Sequence, residues 1–214
     1  LRDRLYRHPC YRLVYGEADG LPGLVVDRYG DYVAVQITTA GMEHNRDAIV
    51  EAVQKVLKPA AIVLRNDSSA RTAEGLPLYV EVAAGTLPDV VEVREGEQTF
   101  GVSLTEGQKT GWFFDQAANR DRLLKYVPDQ RVLDVFSYVG AWGIRAASAG
   151  AAAVTCIDSS ERALAAVAEN AARNGVAERV TTERGDAFTV LKNLKAAGHR
   201  YDVIVLDPPA FIKR

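Results

Sequence analysis

Cysteine is scarce in this sequence: two in 214 residues, Cys10 and Cys156, far apart along the chain. That excludes a disulfide framework and suits a reducing compartment, so a cytoplasmic location is expected. Long hydrophobic runs are also missing, which excludes a membrane-spanning helix, and no secretory signal opens the chain. Excess charge is missing as well. A net charge of −2 rules out a global basic field, so any nucleic-acid surface must be a local patch. There is no internal repeat or low-complexity tract, and no metal-ligand set is assigned. What remains is ordinary for a globular protein: 48% hydrophobic and 25% charged residues. The first residue is Leu1 rather than Met, which suggests that an N-terminal part is lacking.

Residues 1–10 read as a linker or approach segment. The stretch LRDRLYRHPCYR is basic, and a solvated linker is favoured over a phosphate contact. Residues 11–111 read as a small α+β domain. YRLVYGEA, GLVVDRYG and YVAVQITT alternate or run apolar between turns rich in glycine. RDAIVEAVQKVLK sets Ile49, Val50, Val53, Val56 and Leu57 on one helical face, and AIVLRND, PLYVEVAA and VVEVREG return to strands.

From residue 112 to 214 the pattern changes. DQAANRDRLLKYV suggests a helix ended by Pro128, and a regular alternation follows. The strands are RVLDVF, AVTCID, VTTERGD and YDVIVLD. The helices between them are AWGIRAASAG, SERALAAVAENAARN and AFTVLKNLKAAG. Such alternation predicts an α/β, Rossmann-like parallel sheet buried on both faces. The pattern halts after the fourth strand. An apolar strand such as VIVLD at that point predicts further strands in the intact protein, so this domain is expected to be the first half of a larger one.

The first strand runs into the loop FSYVGAWG, which has Gly140 and Gly143 but no G-x-G pair, and no G-K-[ST] follows. A pyrophosphate pocket needs bare backbone where Ser137, Tyr138 and Val139 supply side chains, so the dinucleotide and Walker readings weaken. Failure to bind NAD would close the nicotinamide oxidoreductase reading. A ligand with ribose and adenine but no phosphate, S-adenosylmethionine, fits better. Asp134, Asp158, Asp186 and Asp207 end the four successive strands, and such ends gather at the ligand edge of a parallel sheet. Asp158, followed by Ser159, would accept hydrogen bonds from the ribose hydroxyls. Asp134 would hold the ammonium, and Asp186 the adenine amino group, with Ala187 and Phe188 beside the ring.

DPPAF, residues 207–211, chooses the chemistry. Asp207 ends the fourth strand, Pro208 and Pro209 fix an extended turn, and Phe211 lies where an aromatic face could stack on a base. Together with YGEADGLPGLVVDRYGDYVAVQ, TEGQKTGWFFDQAANR and DVFSYVGAWG, this motif resembles the YccW-like class I RNA methyltransferases. The resemblance covers nearly the whole chain. It implies a missing N-terminal PUA domain, a central module of strands around a helix, and a Rossmann-like methyltransferase domain. It also implies S-adenosylmethionine near Asp134, Phe136, Gly140, Asp158, Asp186 and Asp207, an RNA substrate and a homodimer. Lys109, Gln116 and Arg120 become candidate cofactor or RNA contacts.

The member activity implied is methylation of cytosine C5 in large-subunit rRNA. That chemistry adds a cysteine thiolate to C6, transfers the methyl group and then removes the C5 proton, on a base turned out of its stack. Asp207 would hold the cytosine edge. Cys156 reads as a core residue and Cys10 is distant, so the nucleophile is expected on a later motif, past Arg214. Two alternatives stay open. A D-P-P motif also serves enzymes that methylate exocyclic amino groups such as that of guanine, although there the aromatic directly follows the second proline and here Ala210 intervenes. The chain could also bind the cofactor and RNA as an assembly module without transferring a methyl group.

Overall fold

The computed structural model describes residues 2–209. The chain divides into two compact units. The first is Leu1–Glu95 with Val102–Phe114, and the second is Gly96–Gly101 with Asp115–Arg214.

The first unit contains β1 (Cys10–Tyr15), β2 (Leu24–Tyr29), β3 (Tyr32–Ile37), a short α1 (Ala40–His44), α2 (Arg46–Leu57), β4 (Ala61–Asn66), a short α3 (Ala70–Ala73) and β5 (Tyr79–Gly85). Its sheet runs β1-β2-β3-β4-β5, antiparallel except for the parallel β3–β4 pair. A parallel pair cannot be joined by a tight turn, and α2 lies in the crossover. Strand alternation sends Leu24, Val26, Val33, Val35, Ile62 and Leu64 to one face, where Ile49, Val50, Val53 and Leu57 of α2 cover them. Val56 departs from the expected stripe. It is 77% exposed, flanking the row that runs through Val50, Val53 and Leu57.

The opposite face of this sheet carries a polar network among buried apolar residues such as Tyr29, Ala34 and Val63. Arg12 and Asp27 are directly opposed across β1 and β2, and the guanidinium grips the fully buried carboxylate at 2.9 and 3.0 Å. Thr110 Oγ1 donates to the same carboxylate, and buried Arg65 donates to the carbonyls of Leu104 and Gly107 at 2.8 and 2.7 Å. These side chains tie Val102–Phe114 to its own unit.

The chain passes from one unit to the other within a hairpin of β6 (Val91–Glu95) and β7 (Gln98–Val102). In the second unit follow α4 (Ala117–Leu123), β8 (Arg131–Val135), α5 (Ala141–Ser148), β9 (Ala153–Asp158), α6 (Glu161–Arg173), β10 (Val180–Arg184), α7 (Ala187–Ala196) and β11 (Val203–Leu206). These four strands form the expected α/β, Rossmann-like sheet, ordered β10-β9-β8-β11 and parallel throughout. Val132, Ala146, Val154, Cys156 and Val167 fill the core on one face, and Leu133, Val135, Ile157, Val190 and Leu194 fill it on the other. Strand order reverses at β8, which has β9 on one side and β11 on the other. That reversal is where open α/β sheets leave a crevice at their carboxyl ends.

A contribution from earlier in the chain completes this unit. Asn170 on α6 and Asn174, the residue that caps its C-terminus one turn later, bond the backbone of β7 as a neighbouring strand would. Gly101 N donates to Asn170 Oδ1 at 2.6 Å and Thr99 N to Asn174 Oδ1 at 3.0 Å. In return Asn170 and Asn174 donate to the Gly101 and Thr99 carbonyls. One helical turn and two residues of strand cover similar distances, so two amides can serve a strand segment.

Candidate functional site

The loop after β8 is held in a conformation that side chains disfavour. Phe136 and Tyr138 adopt φ of 65° and 49°, and Gly140 follows at 84°. Left-handed non-glycine residues persist only where their surroundings fix them. Here Ser137 N donates to the Ile157 carbonyl at 3.0 Å, Tyr138 N to Asp158 Oδ2 at 2.9 Å, and Gly140 N to the Ser137 carbonyl at 2.8 Å. The bends turn the chain sharply from the end of β8 into α5. Gly143 permits a close approach: a Cβ there would stand 2.7 Å from Cys156 Sγ and 3.0 Å from Val154 Cγ1. Because α5 can lie so low on the sheet, its Gly143 N reaches Asp134 Oδ2 at 2.9 Å.

Asp134 is fully buried, and its Oδ1 has no hydrogen-bond partner. Burial pushes its carboxyl up to about 7, helped by the nearby Asp207 and Asp158 charges and opposed by the Gly143 amide and Arg120. Ser137 Oγ, also buried, is a second polar atom without a partner. Asp158, the last residue of β9, is half-buried, and its two oxygens accept from Tyr138 N and Ser160 N at 2.9 Å each. Each oxygen retains a further lone pair. Asp207 directly follows β11 and accepts from Trp142 Nε1 at 3.2 Å. Trp142 in turn lies beneath the buried Arg120 guanidinium, 5.6 Å from ring centroid to Cζ.

Asp134, Phe136, Ser137, Tyr138, Gly140 and Asp158 therefore gather at the carboxyl ends of β8 and β9, with Asp207 beyond β11 on the other side of β8. Ser159 is exposed beside Asp158. Asp186 lies just past β10, where it caps α7 by accepting from Thr189 N at 3.0 Å; Ala187 is buried and Phe188 is 68% exposed. Arg120 is close enough to act on Asp134. Gln116 instead makes a local bond, accepting from Asn119 Nδ2 at 2.8 Å. Lys109 belongs to the first unit, where its ammonium lies 4.2 Å over the Phe113 ring. Pro208 and Pro209 are exposed after β11, and Phe211 lies outside the described residues.

The sequence reading missed Trp142 and Asn170. A half-buried indole N–H favours an acceptor, and Trp142 follows the glycine loop so closely that an acceptor at the same sheet edge could have been anticipated. Nothing local marks Asn170. Among the described residues there is no cluster of His, Cys, Asp and Glu that could hold a metal, and no helix long and apolar enough to cross a membrane.

Four carboxylates thus lie at the ends of the four strands, one of them buried with an unanswered oxygen. The chain is similar to large-subunit ribosomal RNA methyltransferases. Ribosomal RNA large subunit methyltransferase I of Klebsiella pneumoniae strain 342 is 38% identical over 95% of this chain and 51% of its own length. The enzyme of the same name from Erwinia tasmaniensis is 35% identical over 100% of this chain and 54% of its own. The chain thus spans about half the length of these curated relatives. The family described as conserved hypothetical protein 95 matches residues 113–212. Among solved structures, a Streptococcus mutans protein assigned as a SAM-dependent methyltransferase superposes with a TM-score of 0.85 at 26% identity, over 98% of this chain and 55% of that one. A protein assigned as a methyltransferase and crystallised with SAH gives 0.86 at 26% identity, over 99% and 55%. The fold is the Rossmann-like fold of the methyltransferases, preceded by a mixed-sheet unit.

Proposed function

We propose that this protein is an RNA methyltransferase that uses S-adenosylmethionine, and that its target is C5 of a cytosine in large-subunit rRNA. The observation that carries the reading is the buried, unpartnered Oδ1 of Asp134, at the strand ends where Asp158 and Asp207 also converge. An acceptor held out of water without a donor favours a ligand that brings a cation, and S-adenosylmethionine brings an ammonium. Ser137 Oγ offers a second point of attachment. Asp158, oriented by two backbone amides, takes the ribose hydroxyls, with Ser159 beside it, while Asp186 and Ala187 border the adenine. Phe136, Tyr138 and Gly140 shape the wall through their left-handed turns. The bound cofactor supplies an electrophilic methyl group. Asp207, held by Trp142 and followed by Pro208 and Pro209, presents its carboxylate to the target base. Phe211 completes this reading from the sequence motif, and Lys109, Gln116 and Arg120 remain candidate contacts for cofactor or RNA. The similarity to ribosomal RNA methyltransferases supports an RNA substrate, a cytoplasmic setting and, with the family resemblance, a homodimer.

A second reading, methylation of the exocyclic amino group of guanine, draws on the cysteines. The Cys156 thiol is fully buried and pushed well above its ordinary range by burial and by Asp134. Burial also raises the Cys10 thiol, in the first unit. Neither is suited to attack a pyrimidine, so the cytosine reading places its nucleophile on a later motif, past Arg214, whereas amino methylation requires no thiolate.

Titration calorimetry of the full-length protein with S-adenosylhomocysteine tests the cofactor site. Binding is expected, with Asp158→Ala weakening it at least about tenfold through two lost charge-assisted bonds. A folded full-length protein that ignores the ligand overturns the methyltransferase reading. Nucleoside mass analysis of rRNA after incubation with the full-length enzyme then separates a methyl on cytosine carbon from one on guanine nitrogen.

A further inference from the structure

A second built site lies on the first unit's sheet, on the face that carries the polar network. An open cleft of about 480 Å³ is bordered by Arg12, Tyr15, Gln36, Ser68, Lys109 and Thr110. We propose that this cleft binds a stretch of single-stranded RNA, with a base stacked on Tyr15 and the backbone phosphates held by Arg12 and Lys109. The proposal rests on the RNA-methyltransferase reading and adds a place, within the first unit, where the substrate strand is gripped.

The fully buried carboxylate of Asp27 is gripped twice by Arg12 and once by Thr110. That network fixes a guanidinium at the wall of the cleft. Arg12 keeps 24% of its side chain exposed and lines the cleft, while Asp27 keeps none and does not line it. The same guanidinium lies 5.3 Å from the centroid of Tyr15, a ring that is 57% exposed at the end of β1. An exposed aromatic braced by a fixed cation is a stacking platform, because any base offers a π-face. Lys109 is exposed on the opposing segment, with a left-handed backbone at φ 50°. Asp67, the acidic residue on the rim, is engaged by Arg65 at 2.9 Å. Of the lining residues Arg12 and Lys109 are cationic and Asp67 alone is anionic, which leaves the lining positive by one in a protein whose net charge is −2. Gln36 and Ser68 add an amide and a hydroxyl able to bond a base edge or a 2′-hydroxyl. Two cations, a ring and neutral polar groups suit a flexible polyanion with bases better than they suit a peptide or an apolar ligand.

The experiment uses the full-length protein and a fluorescein-labelled single-stranded oligoribonucleotide of mixed sequence, about 12 nucleotides long, followed by anisotropy across a salt series. Tyr15→Ala is expected to weaken binding about tenfold, in line with the loss of one stacked base. Lys109→Ala is expected to lower the salt slope by about one, whereas Lys55→Ala, on α2, leaves it unchanged. S-adenosylhomocysteine affinity, read by calorimetry on wild type and Tyr15→Ala, should not move, and an unchanged thermal midpoint serves as the folding control for Lys109→Ala. If wild type binds the oligonucleotide and both cleft variants match it, the cleft proposal is overturned while the methyltransferase reading stands. If wild type binds S-adenosylhomocysteine but no RNA, the cleft and the RNA substrate fall together.

Discussion

Two aspartates, one in each unit, are both fully buried in a sheet, and they are treated in opposite ways. Asp27 is surrounded by donors: Arg12 opposite it across the strand pair and Thr110 from the segment laid over the face. Asp134 has one amide, from Gly143, on one oxygen and nothing on the other. A buried carboxylate with all its partners is architecture. One left half-answered raises the free energy of the empty site, and a ligand that supplies the missing donor relieves it. Burial alone does not separate the two; the inventory of donors does.

The largest expected effect breaks the satisfied case. Asp27→Ala leaves the Arg12 guanidinium with its buried partner removed and the Thr110 hydroxyl without its acceptor. Loss of one member of such a pair costs about 3–5 kcal/mol. Urea unfolding of the first unit, followed by Trp112 fluorescence, is the measurement. A loss below about 1 kcal/mol would mean that the network contributes little and would weaken the view of Asp27 as an anchor.

The unsatisfied case should respond with the opposite sign in stability. The Asp134 carboxyl is raised from an ordinary 3.8 to about 7, first by burial. Between those two values the folded protein holds a proton that the unfolded chain has released. Stability therefore falls as pH rises through that window and levels off above it. Asp134→Asn removes the titrating group, so the variant should lack this slope and be the more stable protein at pH 8. Its affinity for S-adenosylhomocysteine should nonetheless drop about 100-fold, an effect of about 3 kcal/mol, as expected for a lost partner of a buried cation. In the wild type the incoming ammonium favours the ionised carboxyl, so affinity should strengthen as pH rises toward 7 and then flatten. Pairing calorimetry with thermal melts at pH 5 and pH 8 reads both halves. A variant that is less stable at pH 8 and still binds would place Asp134 among the structural residues.

This contrast explains how much could be read from sequence. Asp134, Asp158 and Asp207 were legible because each closes an apolar run, and in a parallel sheet strand ends share one edge whatever the helices between them do. Asp186 was legible for the same reason, although its carboxylate also serves as the cap of α7. What the sequence could not convey was partnership over distance. Asp27 sits in an alternating strand like any solvent-facing aspartate until Thr110 is folded over it. The Trp142–Asp207 bond spans 65 residues. The strand at Gln98–Val102 was missed because Gly101 and the polar Gln98 break the apolar pattern, and the Asn170 and Asn174 amides that support it lie about 70 residues later. Val56 shows the converse error, an apolar residue at nearly helical spacing that faces solvent.

The smallest expected effect sharpens the comparison by moving Asp134's donor instead of its charge. Gly143 brings α5 down onto the sheet, and an added methyl would sit 2.7 Å from Cys156 Sγ and 3.2 Å from Asp134 Oδ2. Gly143→Ala should therefore lift the helix, lengthen the 2.9 Å bond from Gly143 N, and destabilise the protein by about 1–3 kcal/mol through overpacking. Cys156→Ala makes room on the sheet side, so the double variant should recover part of that loss, and the coupling is read from a double-mutant cycle of urea midpoints. The half-answered state of Asp134 also makes a chemical prediction here. With its one amide drawn away, the carboxyl loses an interaction that favours ionisation, so the pH window of instability should widen upward from 7 in Gly143→Ala. A cycle with no coupling would mean that α5 yields without touching Cys156, and that the closeness of helix to sheet is not what brings the Gly143 amide to Asp134.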